Sequence, residues 1–305
     1  MVQFDAQSAT FYVLLSRLVL EEFALTGYTV NVDGLRIGGG YPVRLMGILN
    51  LSPESFYKKT SVNDKSSIQE LVERMEKEGA DIIDIGAAST APSNVYGTPA
   101  ISEQEELERV RAALGYITDT TNLPLSIDTV SSEVARIALD MGVSIINDIS
   151  GMKADTEMVH LAHSRDVPIV LMANCNPPCS SVALALASLE ESYSRAINAG
   201  INPERIILDP GIGFGKPAEV DFDILGNLHL FTEFGQPLLV GVSRKAFIGS
   251  LLNQQDPEDR LAGSLAATTI AVYNGANLIR THDVQETKMA IRIGETALHA
   301  MNGGE

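Results

Sequence analysis

The chain has 305 residues, 45% of them apolar, and 39 Asp and Glu stand against 22 Lys and Arg for a formal charge of -17. That length and apolar content can fill one large core, and they exclude a disordered tail, a collagen-like chain or a disulfide-stapled miniprotein. A uniformly acidic surface repels phosphate backbones and anionic lipid, which argues against nucleic-acid or membrane binding but leaves room for a local basic pocket for a small anion.

In chain order, the first apolar stretch is 11–25, which carries Arg17, Glu21 and Glu22. It is too short and too charged to span a bilayer and reads as an amphipathic helix packed on the domain. Asp5 stands where a secretory signal would carry positive charge, so a cytoplasmic protein is expected. The next segment, TVNVDGLRI, predicts a hairpin turning at Asp33-Gly34 that could plug the bottom of a barrel. Short apolar runs ending in polar residues then predict strands at 44–50, 81–86, 123–128, 144–148, 168–172, 205–209, 237–242 and 277–281. Segments with helical spacing lie between them. Ser67 and Glu70 have the spacing of a capping box and Gly79 closes that pattern. Ser102 opens the next helix, Ser131-Ser132 another, and Asp259 or an earlier residue opens RLAGSLAATTIAVYNG.

Eight strands of continuous apolar character, each followed by a helix, predict a parallel sheet covered on both faces. The fold class is α/β, and eight units in a row favour a (β/α)8 TIM barrel with an N-terminal helix and β-hairpin prefix over an open doubly wound sheet. The domain reading is an N-terminal extension at 1–33 and one barrel domain at 34–305.

The C-terminal ends of barrel strands build the active site. Here they read Asn50, Asp84, Asp128, Asn147-Asp148, Met172, Asp209, Ser243-Arg244-Lys245 and Arg280-Thr281-His282. Each of these polar residues alone could simply cap the following helix. A whole ring of them points instead to a polar ligand, because buried polar groups are costly unless paired. Asp128, Asn147 and Asp209 suit a heterocycle with adjacent N–H donors. Lys245, Arg280 and His282 supply donors and positive charge for a carbonyl and a phosphate or diphosphate, and Asn50 is a hard oxygen ligand suited to magnesium. DPGIGFGK (209–216) is not a Walker A loop, since Pro217 follows the lysine, but its glycines allow backbone to approach a flat ligand. Cys175 and Cys179 lack two further soft ligands nearby and read as free thiols. His160 and His163 read as a solvated helix face, and Ser243 lacks a nucleophile elbow.

These motifs resemble the dihydropteroate synthase family, pterin-binding (β/α)8 barrels. The resemblance rests on MGILNLSPESF (46–56), DIGAASTAP (84–92), SIDT (126–129), INDISG (146–151), DPGIGFGK (209–216), GVSRKAFIG (241–249) and RTHD (280–283), in order along the chain. It implies an enzyme that condenses 6-hydroxymethyl-7,8-dihydropterin diphosphate with an arylamine, usually p-aminobenzoate, and releases pyrophosphate by an SN1-like path. Carried over by position, Asp128, Asn147, Met172, Asp209 and Lys245 would form the pterin pocket. Asn50 (through Mg²⁺), Thr90, Arg280 and His282 would form the diphosphate site. The catalytic set would be Asp128, Lys245, Arg280 and His282. A homodimer in the cytoplasm is expected by the same resemblance.

The departures fall where the arylamine should bind. Ala91 stands where the family has Arg, Ala246 where it has Ser, and the first loop carries Glu54 and Tyr57-Lys58-Lys59. Two acceptors therefore stay open: p-aminobenzoate, and a bulkier ribofuranosyl-aminobenzene phosphate whose phosphate Lys58 or Lys59 would meet. Outside this chemistry stand two alternatives, a pterin-dependent methyltransferase acting on methyltetrahydrofolate and a corrinoid, and a non-catalytic pterin-binding protein.

Overall fold

The computed structural model describes residues 27–51, 62, 64–88 and 101–301, so the helix expected at 11–25 lies outside the described residues. Strands β1 (Thr29–Val32) and β2 (Leu35–Gly38) form an antiparallel hairpin. Asp33 and Gly34 both adopt positive φ (51° and 92°), which is what a two-residue turn matching the strand twist requires.

Eight parallel strands follow: β3 (Arg44–Asn50), β4 (Ile82–Gly86), β5 (Leu125–Asp128), β6 (Ile145–Asp148), β7 (Ile169–Met172), β8 (Ile206–Asp209), β9 (Leu239–Val240) and β10 (Leu278–Thr281). Their order is β8-β7-β6-β5-β4-β3-β10-β9, and a parallel bridge between Leu208 and Leu238 joins the two ends of the sheet. The fold is a (β/α)8 TIM barrel. Several strands begin a residue or two later than their apolar runs do. Pro124, Pro168 and Pro237 sit at these entries, where they have no N–H to donate but accept from Ile83, Ile146 and Leu208 of the neighbouring strand.

The outer ring comprises α1 (Lys65–Glu78), α2 (Glu103–Thr118), α3 (Ser132–Asp140), α4 (Glu157–Arg165), α5 (Val182–Asn198), α6 (Ala218–Gly226), α7 (His229–Thr232), α8 (Ala246–Leu252), α9 (Leu261–Tyr273) and α10 (Val284–Met301). Ser102 and Ser131 cap α2 and α3 through bonds from the Glu105 and Val134 amides. The cap of α1 is Asp64 rather than Ser67, its carboxylate accepting from the Ser67 amide. At the start of α9, a 3-10 turn at Pro257–Arg260 capped by Asp256 precedes the helix. Among the described residues no helix is long and apolar enough to cross a membrane.

Two cores result. The larger lies between strands and helices; the smaller fills the barrel floor, where Val30, Val32 and Ile37 of the hairpin pack on Met46, Ile82, Ile145, Val170, Ile207, Leu239 and Leu278. The hairpin thus closes the bottom of the barrel. Between β7 and α5, Cys175 and Cys179 form a disulfide, which corrects the reading of two free thiols. The intervening turn brings their Cα atoms to 5.1 Å, within the span a disulfide bridges.

Candidate functional site

Side chains alternate along a strand, so the residue two places beyond a floor residue points into the barrel one layer higher. Applied to Met46, Ile82, Ile145, Val170, Ile207, Leu239 and Leu278, this step reaches Ile48, Asp84, Asn147, Met172, Asp209, Gly241 and Arg280. Asn50 lies one layer above Ile48. Asp128 pairs in register with Gly86 and Asn147 and shares their face. An apolar floor therefore gives way to a polar layer within one pleat. The period of two, not any single motif, gathers these residues.

Arg280 sits at the centre. Its Nε donates to Asp84 Oδ2 at 2.6 Å and its Nη2 to Asp128 Oδ2 at 2.8 Å. Asn147 Nδ2 also donates to Asp84 Oδ2, at 3.2 Å. Asp84 is fully buried and Asp128 nearly so, at 0% and 3% exposure, and the Arg280 side chain keeps 18%. One cation is thus shared by two buried carboxylates from neighbouring strands. Asn50 Oδ1 and Asp128 Oδ2 lie 3.5 and 3.9 Å from where a Cβ on Gly86 would be, so the missing side chain leaves a notch bounded by two oxygens.

Across the mouth, Lys245 donates to the Ile212 carbonyl at 2.9 Å, and its ammonium stands 3.8 Å from the centre of the Phe214 ring. This approach depends on Gly213, at φ +79°, where any Cβ would collide with the Lys245 side chain. Gly211, also at positive φ, lets the same loop lie against Met172 and the Ala173 carbonyl. The loop is pinned from below: Asp209 accepts from the Gly211 amide at 2.7 Å, Asp221 from the Gly213 amide at 2.8 Å, and Lys216 donates to the Gly211 carbonyl. Burial pushes the Asp209 and Asp221 carboxyls up and lowers Lys216. It also lowers Lys245, to about 8, with nearby Asp209 opposing that shift and Arg280 adding to it.

His282 is 9% exposed, and its Nδ1 lies 3.0 Å from Ser243 Oγ. Burial, then the charges of Arg280, Arg244 and Lys245, hold its imidazole well below the usual histidine range. The expectation that it supplies positive charge is corrected: at neutral pH it is a neutral hydrogen-bonding group. Asp148, one place beyond Asn147, faces away from the mouth and accepts from the Ser150 and Met152 amides, as a turn cap does. Thr90 lies outside the described residues, as do Glu54, Tyr57, Lys58, Lys59 and Ala91.

The structure thus brings together Asn50, Asp128, Asn147, Met172, Asp209, Lys245, Arg280 and His282. Sequence reasoning placed Asp84 at a strand end but gave it no role. The signal was available, because Asp84 falls two residues past the floor residue Ile82. Phe214 under Lys245 and the Lys216–Asp221 support had no such signal, since they depend on how a glycine-rich loop folds back.

A family model described as "Pterin binding enzyme" matches residues 46–282. A dihydropteroate synthase of Clostridium beijerinckii is 39% identical over 252 residues, 82% of this chain and 92% of that protein. Among solved structures, a dihydropteroate synthase of Coxiella burnetii in complex with pteroic acid superposes with a TM-score of 0.80 at 35% identity, covering 90% of this chain and 99% of its own. A Xanthomonas albilineans dihydropteroate synthase with 4-aminobenzoic acid gives 0.80 and 35%, covering 89% and 98%.

Proposed function

The chain belongs to the dihydropteroate synthase family of pterin-binding enzymes, and from that premise we propose how its own residues divide the reaction. It is a transferase that forms a C–N bond, condensing 6-hydroxymethyl-7,8-dihydropterin diphosphate with an arylamine and releasing pyrophosphate. Methyl transfer to a corrinoid and binding without catalysis are not favoured. The observation that carries the division of labour is the convergence of Asp128, Asn147, Asp209 and Arg280 on one inner face above an apolar floor, with Lys245 reaching toward Asp209 and Arg280 from the turn after β9.

Asp128, Asn147 and Asp209 take the donors of the pterin edge, Lys245 its carbonyl, and Met172 walls one face of the ring. Arg280, His282 and Asn50 face the diphosphate, joined by Thr90 on the strength of the resemblance. An incoming diphosphate competes with Asp128 for Arg280 Nη2, while the Nε bond to fully buried Asp84 keeps the guanidinium oriented. The same exchange frees Asp128 for the pterin. The bond from the exocyclic carbon to the diphosphate oxygen breaks first, its electron pair leaving with pyrophosphate. The resulting cation is delocalised into the dihydropterin and stabilised by the Asp128 carboxylate, whose field is little screened because the residue is only 3% exposed. The arylamine nitrogen then attacks and sheds a proton, so no strong protein base is needed. His282 stays neutral until diphosphate arrives; an adjacent anion raises its pKa, so it is poised to take a proton as charge builds on the leaving group.

Mg²⁺ is the proposed cofactor. Among the described residues no group of three or more His, Cys, Asp or Glu could hold a metal. The notch beside Gly86 nonetheless offers the hard oxygen of Asn50, which suits an ion that takes most of its shell from phosphate and water. When bound there, the ion would neutralise charge on the diphosphate.

The proposed acceptor is p-aminobenzoate, supported by the relative that holds 4-aminobenzoic acid. Turnover with that arylamine and with ribofuranosyl-aminobenzene phosphate, compared at equal concentration, tests it. Wide preference for the phosphorylated arylamine would overturn the acceptor assignment.

Affinity for the pterin substrate should also depend on pH. The ammonium of Lys245 is the form that binds a carbonyl best, and its pKa of about 8 means that raising pH through this value discharges it. The dissociation constant should therefore rise between about pH 7.5 and 9, and the rise should vanish in Lys245→Arg. A flat profile in the parent protein would remove the charge of Lys245 from recognition.

A homodimer through α9 and α10 completes the proposal. These helices pack together and leave Ile270, Tyr273, Met289 and Ile293 45%, 39%, 57% and 64% exposed, large apolar side chains that a second copy could cover. Ile293→Asp should shift the mass measured by light scattering toward the monomer.

A further inference from the structure

Ser243-Arg244-Lys245 forms a turn in which the Lys245 amide donates to the Val242 carbonyl at 3.3 Å. Arg244 adopts φ +60°, a left-handed conformation that a residue with a long side chain rarely takes, immediately before Lys245. Its surroundings over-determine that conformation. The amide donates to Ser264 Oγ at 2.9 Å, and the carbonyl accepts from Arg260 Nη1 at 3.0 Å. The residue is 3% exposed and makes a two-pronged pair with Asp283, Nε to Oδ2 at 2.8 Å and Nη2 to Oδ1 at 2.7 Å. Its Nη1 donates to the carbonyls of Pro257 and Glu258 at 3.0 and 2.6 Å.

Asp283 is the residue after His282, and Ser243 before Arg244 bonds both the ring and the amide of His282. The turn after β9 and the turn after β10 are therefore welded at two adjacent points, with Arg244 as the buried, charged one. This weld fixes the distance between the cation that meets the pterin and the groups that meet the diphosphate. A rigid fork is suited to holding two turns in register, whereas a lysine carries the charge without the bidentate geometry.

We propose that Arg244 is a positioning residue of the transfer reaction, acting through Lys245 and His282 rather than on substrate. The inference rests on the pterin-diphosphate reading of the site. Two sets of binding groups that drift apart by about 1 Å can lose roughly 100-fold in rate without either group being absent.

The test is a double-mutant cycle on the full-length chain with 6-hydroxymethyl-7,8-dihydropterin diphosphate as the probe, read by dissociation constant and by kcat/KM. Arg244→Gly keeps the left-handed turn accessible while removing the fork. It should weaken pterin diphosphate binding about tenfold or more and lower kcat/KM by roughly 100-fold. In a Lys245→Ala background the same change should cost less than about threefold, because residues that act through one another are not additive. Millimolar guanidinium should restore part of the loss in Arg244→Gly. If that variant does not fold, Arg244→Lys is measured in the same cycle with the same expectation and without rescue. Wild-type affinity in the variant, or a loss that adds in full to that of Lys245→Ala, overturns the assignment. Failure of the parent protein to bind the probe would instead refute the functional reading on which it rests.

Discussion

Replacing Asp128 by Asn should lower kcat by about two to three orders of magnitude while changing the dissociation constant for pterin diphosphate far less. The reasoning starts from burial. Asp128 is 3% exposed at the end of β5, and its Oδ2 already accepts from Arg280, a bond that an asparagine oxygen can keep. The substitution therefore spares geometry and removes charge. If departure of the diphosphate creates a cation on the pterin, the lost contribution is electrostatic stabilisation of the transition state, and single preorganised groups of this kind contribute roughly 10²–10³ in rate. Pyrophosphate release under saturating substrate reads kcat, and fluorescence titration with pterin diphosphate reads affinity. Unchanged turnover would remove Asp128 from the chemical step. A loss confined to affinity would make it a recognition group only.

How far the sequence carried the site depends on which physical rule each residue obeys. The strand ends were legible because a parallel, doubly covered strand must be apolar up to its last turn, so Asp128, Asn147 and Asp209 stand out against the runs before them. Their common direction was equally legible in principle: Ile82, Ile145, Ile207 and Leu278 are floor residues, and two places on lie Asp84, Asn147, Asp209 and Arg280. Asp84 counts among the strand ends in the sequence but lies inside β4 (Ile82–Gly86), and its role follows only from the bond it accepts from Arg280, a residue of another strand. The protonation state of His282 was not legible, since it follows from burial of the ring with three cations packed around it. Nor was the Cys175–Cys179 bond, because a spacing of four says nothing about the turn between. The cap of α1 went to Asp64 over Ser67 because the helix begins three residues earlier than the serine requires, and a carboxylate there also meets the positive end of the helix dipole. What composition and period dictate was readable; what depends on loops folding back, as with Phe214 beneath Lys245, was not.

Arg280→Met should strongly destabilise the fold as well as abolish turnover. Arg280 bridges Asp84 and Asp128, and Asp84 has no exposure and, beside its bond from Arg280, a longer one from Asn147. Removing the guanidinium takes away the cation that compensates this buried carboxylate. Breaking a buried pair from one side costs about 3–5 kcal/mol, since the surviving charge keeps its desolvation penalty but loses its compensation. With the Arg280 side chain 18% exposed, the lower end, about 3 kcal/mol, is expected. The midpoint of urea unfolding should fall with little change in slope. Asp84→Asn placed on top of Arg280→Met should recover much of that stability, because the uncompensated charge is gone, while turnover stays lost because the diphosphate still lacks its cation. That split separates the two roles of one side chain. Were Arg280→Met as stable as the parent, Asp84 would have to be neutralised by another route, and the Asp84–Arg280–Asp128 bridge would not be what holds the upper layer of the barrel together.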